Sequence, residues 1–273
     1  MSCDAPLASG TLDELIGLVR QHTGIAMNAR KSVLLQGRLG PRLRALAIPS
    51  YEQYLDLVRS GGPEVQAFID MVTTNDTVFF RTPAVWEYLE RDFLPAWHAA
   101  HAGQCLRIWS AAAATGEEAY SLAMLCDQFA QRHPKFRYQI VGTDISAAAL
   151  DAARAGRYGG RSVERFQASH PQLLERYFRR EGERIAVASE LKLHVQFSCH
   201  NLLTRLSAPA FDLVMLRNVL IYFDETNQRQ VLEQVQRQMA LGARLVLGEQ
   251  ESITRLGTAL QYLQPHVYHL DAP

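Results

Sequence analysis

The sequence predicts an α/β protein: a doubly wound, Rossmann-like sheet with a small β-hairpin subdomain, preceded by an all-α N-terminal domain. Three observations predict it. The first 75 residues carry apolar spacing of helical period only. From about residue 106, apolar runs of strand length alternate with helical periods, the pattern of a parallel sheet covered on both faces. Residues 156–192 interrupt that rhythm, as an insert would. The expected division is a helical domain over 1–75, a linker and connecting helix over 76–104, and the α/β domain over 105–273.

Each element has a local reason. Thr11-Leu12-Asp13-Glu14 reads as a capping box, with Leu12, Leu15, Ile16 and Val19 on one face and Gly24 as the stop. A second helix should begin near Asn28 and carry Leu35, Leu39, Leu43 and Leu46. It should kink at Gly40-Pro41, where proline removes a donor and crowds the preceding turn. Ser50 and Gln53 suggest a second capping box, Gly61-Gly62-Pro63 a break, and Val65, Phe68, Ile69 and Val72 a fourth helix. Thr82-Pro83 looks like an N-cap followed by proline at the first helical position. Strands are expected at 106–111, 138–143, 193–198, 211–216, 243–248 and 266–270, with helices at 117–131, 146–155 and 225–240. Within the insert a helical piece over 171–178 precedes runs 184–188 and 193–198, which could pair as a small hairpin.

The composition narrows the function. The 273 residues include 28 Lys+Arg and 28 Asp+Glu, a formal net charge of zero, which argues against a protein that coats nucleic acid. A hydrophobic share of 48% supports a real core. No apolar run is long enough to span a membrane, and Met1-Ser2-Cys3-Asp4 opens no signal peptide, so the expected location is the cytoplasm. Cys3, Cys105, Cys126 and Cys199 lack CxxC spacing and are expected to be reduced and mostly buried. His98 and His101 form a close histidine pair, and two ligands do not make a metal site.

The chemistry-bearing residues cluster at expected strand ends. The run 106–111 leads through Ala112-Ala113-Ala114-Thr115-Gly116 into Glu117-Glu118 and a helix, a turn of small residues that lets a ligand approach the backbone. Asp144, 28 positions after Gly116, ends the next strand and is placed to accept from ribose hydroxyls. Two acids at the helix start repel a pyrophosphate and suit a ligand with an amino group and a cationic centre, which points to S-adenosylmethionine rather than NAD. The missing GxGxxG agrees. The same residues would also suit any tight strand–helix turn. Asn75 to Arg81 suit a loop over a cleft between domains, or equally a linker with two core phenylalanines. Arg217, Asn218 and Tyr222 fall beyond the carboxyl end of the 211–216 strand, as do His200-Asn201-Leu202 after theirs.

The series NDTVFFR, RIWSAAAATGEEAYSLAM, GTDIS with a following AARAGRY, FSCHNL and FDLVMLRNVLIYFD resembles, in this order and spacing, the CheR family of chemoreceptor glutamate methyltransferases. The resemblance spans about 11–270. It implies an S-adenosylmethionine-dependent enzyme that methylates glutamate carboxylates on the cytoplasmic helices of methyl-accepting chemotaxis proteins, without a metal. By motif position, Asn75, Thr77 and Arg81 match linker residues at the cofactor. The acids after Gly116 match its cofactor-binding glutamate, with Glu118 favoured over Glu117, and Asp144 matches the ribose-binding aspartate. Asn201, Leu202, Arg217 and Asn218 match residues around the adenine and methionine portions, while Arg81 and Tyr222 match positions facing methyl transfer.

Three departures stand out. Ala114 and Ala119 replace the Ser and Pro of STGEEPYS. Gly248-Glu249-Gln250-Glu251-Ser252 replaces GHSES, which places an extra acid near the expected cleft. The turn at 179–184 is short beside members that dock a receptor's C-terminal tether peptide, so independence from that tether is expected. A basic stretch holds Arg30, Lys31, Arg38, Arg42 and Arg44. Of these, Lys31, Arg38 and Arg42, seven and four apart, would form one helix face if the helix survives Gly40-Pro41, complementary to acidic receptor helices or simply solvated. The alternative to an enzyme is a non-catalytic S-adenosylmethionine-binding or scaffolding module. A nucleic-acid amino-methylase would need an Asn/Asp-Pro-Pro-aromatic run where Asn218-Val219-Leu220-Ile221 stands.

Overall fold

A computed structural model describes residues 7–28 and 31–271. Met1 to Asp4, Cys3 among them, and Arg30 lie outside the described residues. Four helices come first: α1 (Ser9–Thr23), α2 (Ser32–Ala45), α3 (Tyr51–Arg59) and α4 (Pro63–Val72). Their apolar faces meet in a core that includes Leu15, Leu35, Leu39, Leu43, Tyr54 and Phe68. Ser50 caps α3 as expected, accepting from the Gln53 amide, and Pro63 opens α4.

Two expectations for these helices fail. α1 starts at Ser9, ahead of Thr11, so the capping box does not form; the Thr11 hydroxyl donates instead to Glu52 at 2.7 Å. α2 runs through Pro41. The bond that proline forfeits would have reached Gly37, and both residues are exposed, so water can serve the freed carbonyl. The basic face is also reduced. Arg38 donates to the carbonyls of Val72 and Thr73 and to the Thr74 hydroxyl, and Arg42 pairs with Glu64 at 2.6 Å. Both guanidinium groups therefore brace α4, Arg42 at its start and Arg38 at its end and the residues after it.

The linker leads into α5 (Pro83–Tyr88), a π-helical turn at Leu89–Phe93 and α6 (Leu94–Ala100). The α/β domain follows with β1 (Cys105–Ser110), α7 (Glu117–Arg132), β2 (Arg137–Asp144) and α8 (Ala147–Ala155). The insert holds β3 (Arg157–Tyr158), α9 (Arg161–Ser169), α10 (Pro171–Tyr177), β4 (Phe178–Glu181), β5 (Arg184–Val187) and α11 (Ser189–Lys192). Then come β6 (Val195–Cys199), β7 (Phe211–Leu216), a 3-10 turn at Leu220–Tyr222, α12 (Glu225–Gln236), β8 (Met239–Leu247), β9 (Leu260–Gln264) and β10 (Val267–Leu270).

The main sheet has the order β6-β2-β1-β7-β8-β10-β9. Its first five strands are parallel and β10 runs antiparallel to both neighbours. Apolar cores cover both faces, one around Leu122, Phe129 and Ile140, the other around Trp109, Val231 and Leu245. The run at 184–188 does not pair with that at 193–198. β5 joins β3 and β4 in a separate three-stranded sheet, while β6 forms the edge of the main sheet beside β2.

The helical domain docks on the turn after β7. Ile25 forms an antiparallel bridge with Phe223, the Ala26 amide donates to the Tyr222 carbonyl at 2.8 Å, and Arg20 pairs with Asp224. Asn201 and Asn227 donate to the carbonyls of His22 and Gly24. Gly24 has φ 75°, and a Cβ there would lie 2.4 Å from Leu203 and 3.2 Å from Phe223, so this seam admits only glycine without adjustment.

Candidate active site

The chain moves outward from β1 to β2 and β6, then returns to β7 and β8, so the direction of winding switches between β1 and β7. Open α/β sheets bind ligands at that point, beyond the carboxyl ends of the strands. A cleft of about 900 Å³ of empty volume lies there, lined by the ends of β1, β2 and β7, the 73–81 linker, and Thr23 and Ile25 from the helical domain.

Its floor is the turn after β1. The amides of Ala111 and Ala113 donate to the Met215 and Thr143 carbonyls. Gly116, at φ 95°, packs so closely that a Cβ would meet Ala153 at 2.9 Å and Tyr158 at 3.0 Å. Asp144 accepts from the amides of Ala114 and Ser146, both at 2.9 Å, which fixes its carboxylate at the cleft. Burial pushes its pKa up against those donors.

Glu118, in the first turn of α7, is the centre of a buried clamp. It accepts from the Ser110 hydroxyl at 2.8 Å and pairs with Arg217 at 3.0 Å. Burial pushes its pKa up while Arg217 and Ser110 pull it down. The other arm of Arg217 reaches the linker, donating to the Arg81 carbonyl at 2.7 Å and the Thr82 hydroxyl at 2.8 Å. Thr82 caps nothing, contrary to its sequence reading; its hydroxyl is held by Arg217 instead.

The linker is strained on both sides of Arg81. Phe80 has φ 51° and Thr82 φ 66°, values unusual for non-glycine residues and an outlier for β-branched threonine. The Phe80 amide donates to Ser121, its ring stacks on His170 at 4.4 Å, and the Trp86 indole donates to the Arg81 carbonyl. So held, Arg81 lines the cleft together with Asn75, Asp76 and Thr77.

The structure gathers Asn75, Thr77, Arg81, Glu118, Asp144, Asn201, Leu202, Arg217, Asn218 and Tyr222 around one cleft. Glu117 is not among the lining residues; it turns to the Thr115 hydroxyl at 2.6 Å. The Asn201 amide is engaged on both sides, by the His22 carbonyl and the Leu203 amide. Sequence reading missed Ser110, Thr82 and the way Glu251 grips the turn after β7. The extra acid, Glu249, is exposed and away from the cleft. Cys105 and Cys199 are exposed and only Cys126, of the described cysteines, is buried. His98 packs against His133 while His101 stacks on Trp97, so the two histidines face different neighbours.

The cleft fits S-adenosylmethionine. Its carboxylates match a cationic ligand with ribose hydroxyls, and Arg217 Nε and His200 Nε2, on lining residues, are buried with no protein partner. A doubly wound sheet with this cleft at its switch point is an architecture that binds nucleotide-like ligands, and the family match makes it an S-adenosylmethionine-dependent methyltransferase. Residues 75–268 match the family of the CheR methyltransferase SAM binding domain, and 11–73 match the CheR methyltransferase all-alpha domain. The chain belongs to the CheR methyltransferase family. It is 36% identical over 248 residues to chemotaxis protein methyltransferase 1 of Pseudomonas aeruginosa, covering 88% of this chain and 89% of that one. It is equally identical over 248 residues to the chemotaxis protein methyltransferase of Escherichia coli, covering 88% and 83%. The Vibrio parahaemolyticus chemotaxis protein methyltransferase is 34% identical over 239 residues, covering 85% and 86%.

Proposed function

We propose that this protein methylates glutamate side chains on the cytoplasmic helices of chemoreceptors, forming glutamate 5-methyl esters and S-adenosylhomocysteine in sensory adaptation. The observation that carries the reading is Arg81. A strained linker and the Glu118–Arg217 clamp hold it in the cofactor cleft that Tyr222 also lines. The relatives' names, chemotaxis protein methyltransferases, support the pathway.

S-adenosylmethionine supplies an electrophilic methyl group on a sulfonium. Glu118 and Asp144 contribute negative charge toward the cationic ligand and acceptors for its ribose. Asn75, Thr77, Asn201, Leu202, Arg217 and Asn218 complete the walls. A substrate glutamate, with an ordinary pKa near about 4.3, is already ionised at neutral pH, so no residue has to remove a proton. Arg81 orients the carboxylate, and Tyr222 donates a hydrogen bond to it or shapes the wall. Placing the reacting atoms about 3–3.5 Å apart in a water-poor cleft is then the main task.

Docking of a tether peptide is not part of this reading. β4 and β5 are joined through Gly182 and Glu183 alone, a short hairpin. The test uses receptor cytoplasmic fragments with and without their C-terminal tether, with fragment-ion mass spectrometry locating the added methyl. Methylation of glutamates at matching rates in both forms is expected, and loss when those glutamates become glutamine. Methylation elsewhere, or only with the tether, contradicts the corresponding part of the proposal.

A further inference from the structure

We propose that Glu251 is a positioning residue of the methyl-transfer site, holding with its carboxylate the turn that carries Arg217, Asn218 and Tyr222; its catalytic meaning rests on the methyltransferase reading above. Glu251 follows β8, is 8% exposed, and does not line the cleft, so it acts through other residues. One carboxylate oxygen accepts from the amides of Asn218 at 2.8 Å and Gly248 at 2.7 Å. The other accepts from Val219 and Leu220, both at 2.8 Å. Four backbone donors converge on one carboxylate, the arrangement of an anion nest with a protein side chain as the anion.

The turn needs this. Asn218 sits at φ 58°, and three successive amides point to one side with no helix to accept them. Left without a partner, such donors are costly to bury. The opposite, carbonyl side of the turn is held separately, by Ala26 at Tyr222 and by Gln228 at Leu220 and Phe223. Glu251 thus decides how the residues just before and after those amides face the cleft. Glutamine has nearly the same shape but only one acceptor oxygen, and it would aim an amide at donors.

The test compares the wild type with Glu251→Gln, using thermal midpoint, calorimetric Kd for S-adenosylhomocysteine, and kcat and KM for a receptor fragment. Expected are a Kd weakened about tenfold and a kcat lowered about tenfold, with KM for the fragment within about twofold. A lower midpoint with unchanged Kd and kcat, measured well below it, would make Glu251 merely structural and overturn the proposal. The Kd readout needs no methyl acceptor. A wild type that binds S-adenosylhomocysteine yet methylates nothing contradicts the proposed function, while the Kd shift still judges Glu251. Should Glu251→Gln not fold, hydrogen exchange on the wild type decides. Slow exchange at the amides of 218–220 supports the role, and exchange as fast as in exposed turns overturns it.

Discussion

Arg81 stands between two residues, Phe80 and Thr82, that are both held at positive φ. Each such residue costs on the order of 1–2 kcal/mol and persists only where its surroundings over-determine it. Here the surroundings are named: Ser121 at the Phe80 amide, His170 on the Phe80 ring, Arg217 on Thr82, and Trp86 with Arg217 on the Arg81 carbonyl. The arrangement fixes the backbone of Arg81 and leaves its guanidinium at the cleft with one long contact, to the Asp76 carbonyl at 3.4 Å. A guanidinium that orients a carboxylate contributes most where charge changes. Arg81→Ala should therefore lower kcat by about a hundredfold, as loss of one preorganised donor does in other enzymes. Tyr222→Phe, which keeps the ring and the wall, should lower it by less than about tenfold. Steady-state kinetics on a receptor fragment checks both, and Arg81→Ala turning over like the wild type would refute the role of Arg81.

At the scale of elements, the seam between the helical domain and the turn after β7 is the critical junction. Gly24 ends α1 in the left-handed region and touches Leu203 and Phe223, two residues before Ala26 meets Tyr222. Gly24→Ala should cost about 1–2 kcal/mol from the backbone conformation, with repacking of Leu203 added. Urea unfolding with an unchanged slope and a lower midpoint is the expected result, and an unchanged midpoint would contradict this account of the seam. Legibility in the sequence follows the range of the forces. β7 falls on 211–216 as read, because the apolar run Leu213–Leu216 between Asp212 and Arg217 is a local signal. β9 escaped notice because it is an edge strand with exposed residues at its centre. The 184–188 and 193–198 runs read correctly as strands, but their partners are set by non-local pairing, which periodicity does not encode. Asp144 and Glu118 were legible as cleft residues because they sit at strand and helix ends, whereas the side to which Glu117 turns, toward Thr115, was not. Thr82 and Glu251 were not legible either, because Thr82 is held by Arg217 and three of the four amides on Glu251 lie more than 30 positions away.

Across the whole molecule, the cleft belongs to both domains. Its floor and walls come from β1, β2 and β7, its cover from the linker, and part of its rim from Thr23 and Ile25. Arg38 ties α2 to the residues that enter the linker, so the helical domain is coupled to the segment carrying Asn75, Thr77 and Arg81. The buried Glu118–Arg217 pair then joins α7, β7 and the linker at one point. Removing one partner of such a pair costs about 3–5 kcal/mol, so it also fixes the linker in one arrangement. Among the described residues no helix is long and apolar enough to cross a membrane. The architecture is a cleft floor at the strand ends with a strained linker over it that places Arg81 at the cleft, which under the proposed function aligns an anionic side chain with a cationic methyl donor. The most direct measurement is methyl transfer from methyl-labelled S-adenosylmethionine to receptor cytoplasmic fragments, followed by alkaline hydrolysis. Release of volatile labelled methanol is the result this account predicts, since only a carboxyl ester yields it. Label that survives alkali would contradict the account and place the methyl group on nitrogen.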